Sequence, residues 1–252
     1  MTPERTELEW TYEPTNFFEV PYRHSAVEFE VVVESGRVLA TLTTPTASVA
    51  DDLEQQVKAM IDSIFLIRQL QVHRRYTLYG PRIYQHSAGR KNVSIRVGSA
   101  AVLAVGGQAD IVIRNAAGDI VHDSRSDRIE GHKALFDSVA PKVIRSQVLR
   151  SLVESYSRSI SDPNNELVHL YEVRDSLSAH FGGEQEARDA LQITKSAWQR
   201  LGVLANVEPL AQGRHRGKYP GSHRTATTAE LEDARALVRE WILSFARTIE
   251  AG

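Results

Sequence analysis

The sequence lacks cysteine altogether and has no large excess of charge of either sign. Without cysteine the protein can form no disulfide, no thiolate metal site and no cysteine nucleophile, and a reducing compartment suits it. The 30 Lys and Arg residues nearly balance the 32 Asp and Glu residues. Because no whole-molecule field then attracts nucleic acid or membrane, any site for a polyanion must be local.

Long apolar runs are also missing. The longest spans residues 100–105, which is six residues against the roughly 18 to 20 that a membrane span needs. Residues 1–10 carry four charged side chains and no apolar core, so the sequence predicts no ordinary signal peptide. We therefore expect a cytoplasmic protein without a membrane partner.

The N-terminal part, residues 1–140, has the pattern of an α+β domain. Its run 26–44 is rich in Val, Phe and Thr and has a Ser-Gly turn signal at its centre, which predicts a β-hairpin. Ser48 can cap a long helix whose apolar residues recur three or four apart as far as Val72. Further short strands are predicted at 75–79, 83–86, 93–97, 102–105, 110–114 and 120–123. The expected domain is a mainly antiparallel sheet with one long helix.

The C-terminal part, residues 141–252, predicts an all-α helical bundle that folds on its own. Strand signals stop after Pro141, and the amphipathic segments that follow have the short connections of antiparallel bundle helices. Thr194 is a suitable N-cap, and Thr227 with Glu230 fits a capping box. The predicted helices are 143–159, 167–181, 184–191, 195–205 and 228–249.

Just before the last helix lies a segment that we call the basic loop, residues 213–224. It contains four fixed cations and two histidines in twelve residues, with no carboxylate. Its Gly and Pro residues predict an exposed loop, where side chains and backbone amides can contact phosphate. The alternative is a solvated connector whose basic residues have no function. The candidate nucleic-acid ligands are Arg214, His215, Lys218 and Arg224.

Within the basic loop, Arg216 and His223 are separated by six residues and precede the last helix of an all-α region. This arrangement resembles the HEPN (higher eukaryotes and prokaryotes nucleotide-binding) domain, over about residues 164–252. The resemblance implies a metal-independent ribonuclease without a cofactor, such as a toxin or phage-defence component under an inhibitory or sensor partner. The sequence departs from the family's pattern because Gly217, rather than Asn, Asp or His, follows Arg216.

The implied chemistry is physically consistent with these residue types. RNA supplies its own nucleophile, the 2′-hydroxyl, so the protein need only move protons and stabilise charge on the phosphorus. His223 would be the acid or base and Arg216 the electrostatic stabiliser. In-line attack needs both an acid and a base, so we expect a homodimer with one composite site. Trp241 and Phe245 would supply its apolar contacts, unless they belong to the core of a monomer.

Two further interpretations compete with this one. Arg174 and His180 form a second Arg/His pair, but six residues on a helix place their side chains about 240° apart. A structural ion pair with an acidic residue of another helix explains Arg174 better. The other rival is a non-catalytic module that uses the basic loop to bind nucleic acid, nucleotide or protein. Trp198 fits either a helix-turn-helix or, more simply, a buried core. The nine histidines lack zinc-ligand spacing, so no metal is expected.

Overall fold

The computed structural model describes residues 5–42, 51–87, 90–95, 110–115, 117, 119–214 and 221–250. The chain divides into two compact units. Unit 1 comprises residues 1–64 and 76–138, and unit 2 comprises residues 65–75 and 139–252. The protein is α+β, as the sequence predicts, with the described strands in unit 1. Independent folding of residues 141–252 stays a prediction.

Unit 1 contains a six-stranded antiparallel sheet with the strand order β2-β3-β4-β1-β5-β6. Its strands are β1 Arg5–Glu13, β2 Tyr22–Ser25, β3 Phe29–Glu34, β4 Arg37–Leu42, β5 Thr77–Ser87 and β6 Arg90–Ile95. A separate hairpin pairs β7 Val112–Arg114 with β8 Ile120–Asp123. The predicted antiparallel sheet is confirmed, although the sequence does not predict β1 or β2.

The hairpin of β3 and β4 shows why the alternating pattern predicted it. Every second residue of each strand is buried, so one face of the hairpin joins the core. Gly36 forms the turn with φ of 74°, and a Cβ there would lie 2.7 Å from Thr15 Cγ2. The two strands predicted at 75–79 and 83–86 are instead the single strand β5. The register between β5 and β1 shifts at the Gly80-Pro81 step of β5, which lies opposite the stretch from Glu9 to Thr11 of β1.

Two 22-residue helices, α1 Asp51–Val72 and α2 Ser124–Arg145, each begin in unit 1 and end in unit 2. The sequence predicts α1, although Ser48 and the strand predicted at 102–105 lie outside the described residues. The sequence does not predict the second long helix, α2, which follows the strands of unit 1. In α2 no residue before Phe136 is buried, so its first half carries no apolar stripe, and the helix also continues through Pro141.

Unit 2 is a helical bundle whose termini carry the predicted caps. Thr194 accepts a hydrogen bond from the Ala197 amide, and Thr227 forms the capping box with Glu230. The predicted helix 143–159 is interrupted at Ser146, which instead caps a new helix. The helices are α3 Gln147–Ser161, α4 Glu166–Phe181, α5 Glu184–Leu191, α6 Lys195–Gly202 and α7 Thr228–Thr248, with one π-helical turn at Val203–Val207.

The aromatic residues of α7 belong to the core of this bundle. Trp241 is 2% exposed and stacks on the fully buried Trp198 at a centroid distance of 5.1 Å. Phe245 is equally buried, because α7 packs against α3, α4, α5 and α6. The core interpretation of Trp198 is confirmed, and the expected dimer contact through Trp241 and Phe245 is wrong. Within the described residues, no helix is both long and apolar enough to span a membrane.

Candidate functional site

The basic loop is closed at its base by backbone hydrogen bonds. The Ala211 amide donates to the Arg224 carbonyl at 2.9 Å, and the Arg224 amide donates to the Pro209 carbonyl at 3.0 Å. The Arg214 amide donates to the Ala205 carbonyl at 2.7 Å, which fixes the N-terminal end of the loop to the π-helical turn. The two ends of the basic loop therefore lie side by side.

The described part of the chain includes three of the six candidate residues in this loop. Arg214 and Arg224 lie at its base, and His223 is exposed directly beside Arg224. His215, Arg216 and Lys218 lie outside the described residues. The pairing of Arg216 with His223 therefore stays a prediction.

Arg224 has carboxylate partners that the local sequence does not reveal. Its guanidinium donates two hydrogen bonds to Glu230, at 2.7 and 2.8 Å, and lies 3.3 Å from Glu208. The hydrogen bonds from Arg224, and next the one from the Thr227 amide, lower the pKa of Glu230 to about 2. Arg224 thus connects the loop base to the capping box of α7, and a phosphate would have to compete with two carboxylates for it.

Arg214 at the other end of the base is paired as well. Its Nη1 donates to Oδ2 of Asp175 at 3.0 Å, and its guanidinium carbon lies 4.4 Å from the centroid of the Tyr171 ring. Both contacts are with α4. Two of the four fixed cations of the basic loop are therefore paired with carboxylates that lie outside the loop, which the composition of the loop alone could not show.

Arg174 forms the structural ion pair that the sequence predicts. Its Nη2 donates to Glu184 of α5 at 3.0 Å, and its Nη1 donates to the Tyr171 hydroxyl at 3.0 Å. The guanidinium also lies 5.0 Å from the centroid of the Trp198 ring. His180 has different neighbours, because its ring packs against Phe181 and Phe245.

The structure thus brings together two arginines that the sequence assigns to separate motifs. The guanidinium carbons of Arg174 and Arg214 lie 5.0 and 4.4 Å from the centroid of the same Tyr171 ring. Each guanidinium has its own carboxylate, Glu184 for Arg174 and Asp175 for Arg214. We call these five residues the Tyr171 cluster. Its only sequence signal is the position of Tyr171 three residues before Arg174, which places the two on one helix face.

A second polar cluster in unit 2 is not predicted from the sequence. Glu166 is 2% exposed and accepts two hydrogen bonds from Arg235, while Nε2 of His73 lies 3.4 Å from its Oε1. Nδ1 of His73 lies 3.2 Å from the Tyr156 hydroxyl. Burial, followed by the charge of Arg235, lowers the pKa of His73 to about 3, and burial raises the pKa of Tyr156 to about 12. Both rings are therefore neutral at pH 7.

The Glu166 cluster, as we call these four residues, is best explained as a structural network. A neutral His73 can donate from Nε2 to Glu166 and accept at Nδ1 from the Tyr156 hydroxyl, so both of its ring nitrogens have a hydrogen-bond partner. Both ring nitrogens of His73 are engaged and Tyr156 is 2% exposed, so neither of these two rings is available to a substrate. The exposed His223 is the better candidate for proton transfer.

The described residues include no group of three or more His, Asp or Glu side chains that could hold a metal ion. Comparisons of the chain with protein-family models, curated proteins and solved structures find no match. Any functional assignment must therefore come from the residues of the basic loop and the Tyr171 cluster.

Proposed function

We propose that unit 2 binds single-stranded RNA through the basic loop and cleaves it without a metal. The observation that carries this proposal is the closed loop base, which holds the exposed His223 next to a segment without a carboxylate. The HEPN resemblance of the sequence supports the same activity. Its substrate would be cytoplasmic RNA, and a toxin or phage-defence protein of this kind would need an inhibitory or sensor partner.

In this proposal each residue of the loop has a separate task. His223 exchanges a proton with the attacking 2′-hydroxyl or the leaving 5′-oxygen, and Arg216 stabilises the charge on the phosphorus. Lys218 contacts a flanking phosphate. In the free protein Arg214 and Arg224 hold the loop base, where both are paired with carboxylates. A second chain in a homodimer supplies the second imidazole, through a surface other than the buried face of α7.

The test is cleavage of a labelled single-stranded RNA in the presence of EDTA. We expect cleavage by the native protein and a rate about 100-fold or more lower for His223→Ala, which is the usual contribution of a general acid or base. His180→Ala is the matched control, because it removes the exposed histidine of the competing Arg/His pair. A rate that falls with His180→Ala and not with His223→Ala would refute the assignment.

A non-catalytic RNA-binding module is the second candidate. It is favoured by the ion pairs of Arg214 and Arg224, which make the loop base a fixed support and leave fewer cations for catalysis. Intact RNA after prolonged incubation, with binding retained, would establish this candidate in place of the ribonuclease. Absence of RNA binding at low salt would overturn both.

A further inference from the structure

We propose that the ring of Tyr171 is a stacking subsite for one base of the bound RNA strand, occupied in the free protein by the guanidinium of Arg214. This inference rests on the proposed RNA binding and adds a specific base-binding residue to it. Aromatic rings beside cations are the usual elements of single-strand recognition, because every base has a π face and every linkage a phosphate.

The guanidinium of Arg174, one of the two at the Tyr171 ring, is held rigidly. Arg174 is 15% exposed and is held by Glu184, by the Tyr171 hydroxyl and by the ring of Trp198. Gly202 packs against it so closely that a Cβ would lie 2.5 Å from its Nη1. A ligand can therefore not displace Arg174 without disturbing the bundle core, and Tyr171 is kept in place through its hydroxyl.

The guanidinium of Arg214 at the same ring can move. Arg214 is 35% exposed and its partner Asp175 is 53% exposed, so their ion pair is of the solvent-screened kind that contributes little. A guanidinium is planar and stacks on an aromatic ring as a base does. A base can therefore take its place over Tyr171, while the released Arg214 pairs with the adjacent phosphate.

The chemistry of the subsite favours nucleic acid over an acidic peptide. A peptide carboxylate could attract Arg214 away from Asp175, but it would leave the ring of Tyr171 uncovered. A nucleotide satisfies both groups at once, because its base covers the ring and its phosphate receives the cation. Stacking alone does not read base edges, so the subsite should accept any base.

The experiment is a cycle that combines a change in the protein with a change in the ligand. Binding of an uncleavable 2′-O-methyl oligouridylate is compared with binding of an abasic strand of equal length and charge, for the native protein and for Tyr171→Leu. Because Tyr171→Leu removes the stacking of one base, the variant should bind the oligouridylate about 5- to 150-fold more weakly than the native protein does. Binding of the abasic strand should be unchanged. Tyr171→Phe should keep the preference for bases, and Tyr79→Leu in unit 1 serves as a control.

The cycle separates a stacking role from a purely structural one. If Tyr171 only supports the loop base, Tyr171→Leu will weaken both strands by the same factor, and the subsite is refuted while RNA binding stands. If the native protein binds neither strand, the proposed function fails together with the subsite. If the native protein binds both strands equally, its contacts are with phosphate alone, and the subsite is again refuted.

Discussion

Arg235 binds the buried carboxylate of Glu166 through two hydrogen bonds, from Nε to Oε1 at 2.5 Å and from Nη2 to Oε2 at 2.9 Å. The two residues are 69 positions apart and connect the start of α4 with α7. His73, which follows α1, and Tyr156 of α3 complete the network. The network thus joins α3, α4 and α7 with the residue that follows α1.

Removal of one partner of this pair should destabilise the protein strongly. Arg235→Met leaves the charge of Glu166 buried and uncompensated, and we expect the free energy of unfolding to fall by about 3 kcal/mol. Arg200→Met is the control, because the pair of Arg200 with Asp233 is exposed and should contribute less than about 1 kcal/mol. Urea unfolding measures both. Equal effects of the two substitutions would contradict the importance given to burial.

The stability of the protein should also decline in acid through His73. Its pKa is about 3 in the folded protein, where burial opposes the charged ring, and near 6.5 in the unfolded chain. The unfolded chain therefore binds the extra proton, and stability is lost as the pH falls from about 6.5 towards 3, at up to about 1.4 kcal/mol per pH unit. His73→Asn should remove this component. We expect a shallower slope of unfolding free energy against pH for the variant, and parallel slopes would refute the assignment.

RNA binding should depend on salt less steeply than the composition of the basic loop suggests. Four free cations would give a slope of log affinity against log salt of about −2.8 on a single strand, whereas two give about −1.4. Since Arg224 stays paired with Glu230 while Arg214 moves to a phosphate in the proposed subsite, we expect three cations to contribute and a slope of about −2.1. Titrations between 50 and 200 mM salt decide this point. A slope near −2.8 would show that both ion pairs open on binding.

Two glycines in helices should respond differently to substitution by alanine. Gly131 of α2 has no atom within 4 Å of an added Cβ, so Gly131→Ala should stabilise the protein by about 0.5 to 1 kcal/mol through helix propensity. In Gly202→Ala the new methyl group would lie 2.5 Å from Arg174 Nη1, and the displaced guanidinium should cancel that gain. Thermal unfolding of the two variants provides the comparison. A gain for Gly202→Ala as large as for Gly131→Ala would show that Arg174 is not fixed.

Local signals predicted much of the fold and little of the site. The caps at Thr194 and Thr227 and the turn at Gly36 are short-range features, so the sequence displays them directly. Helix α2 was missed because its exposed first half lacks an apolar stripe. Asp175 pairs with Arg214 from 39 positions away and Glu208 with Arg224 from 16 positions away, and no spacing rule connects residues that only the fold brings together. The same holds for the meeting of Arg174 and Arg214 at Tyr171.

The closure of the basic loop at its base has a consequence for how this region can change. Because hydrogen bonds join residues 209–212 to residues 224–226, the bundle does not depend on the length of the chain between them. The entropy of closing such a loop rises only with the logarithm of its length. Insertions, deletions and new sequences between Arg214 and Arg224 should therefore be tolerated, and the loop can acquire a different specificity while the helices beneath it stay the same.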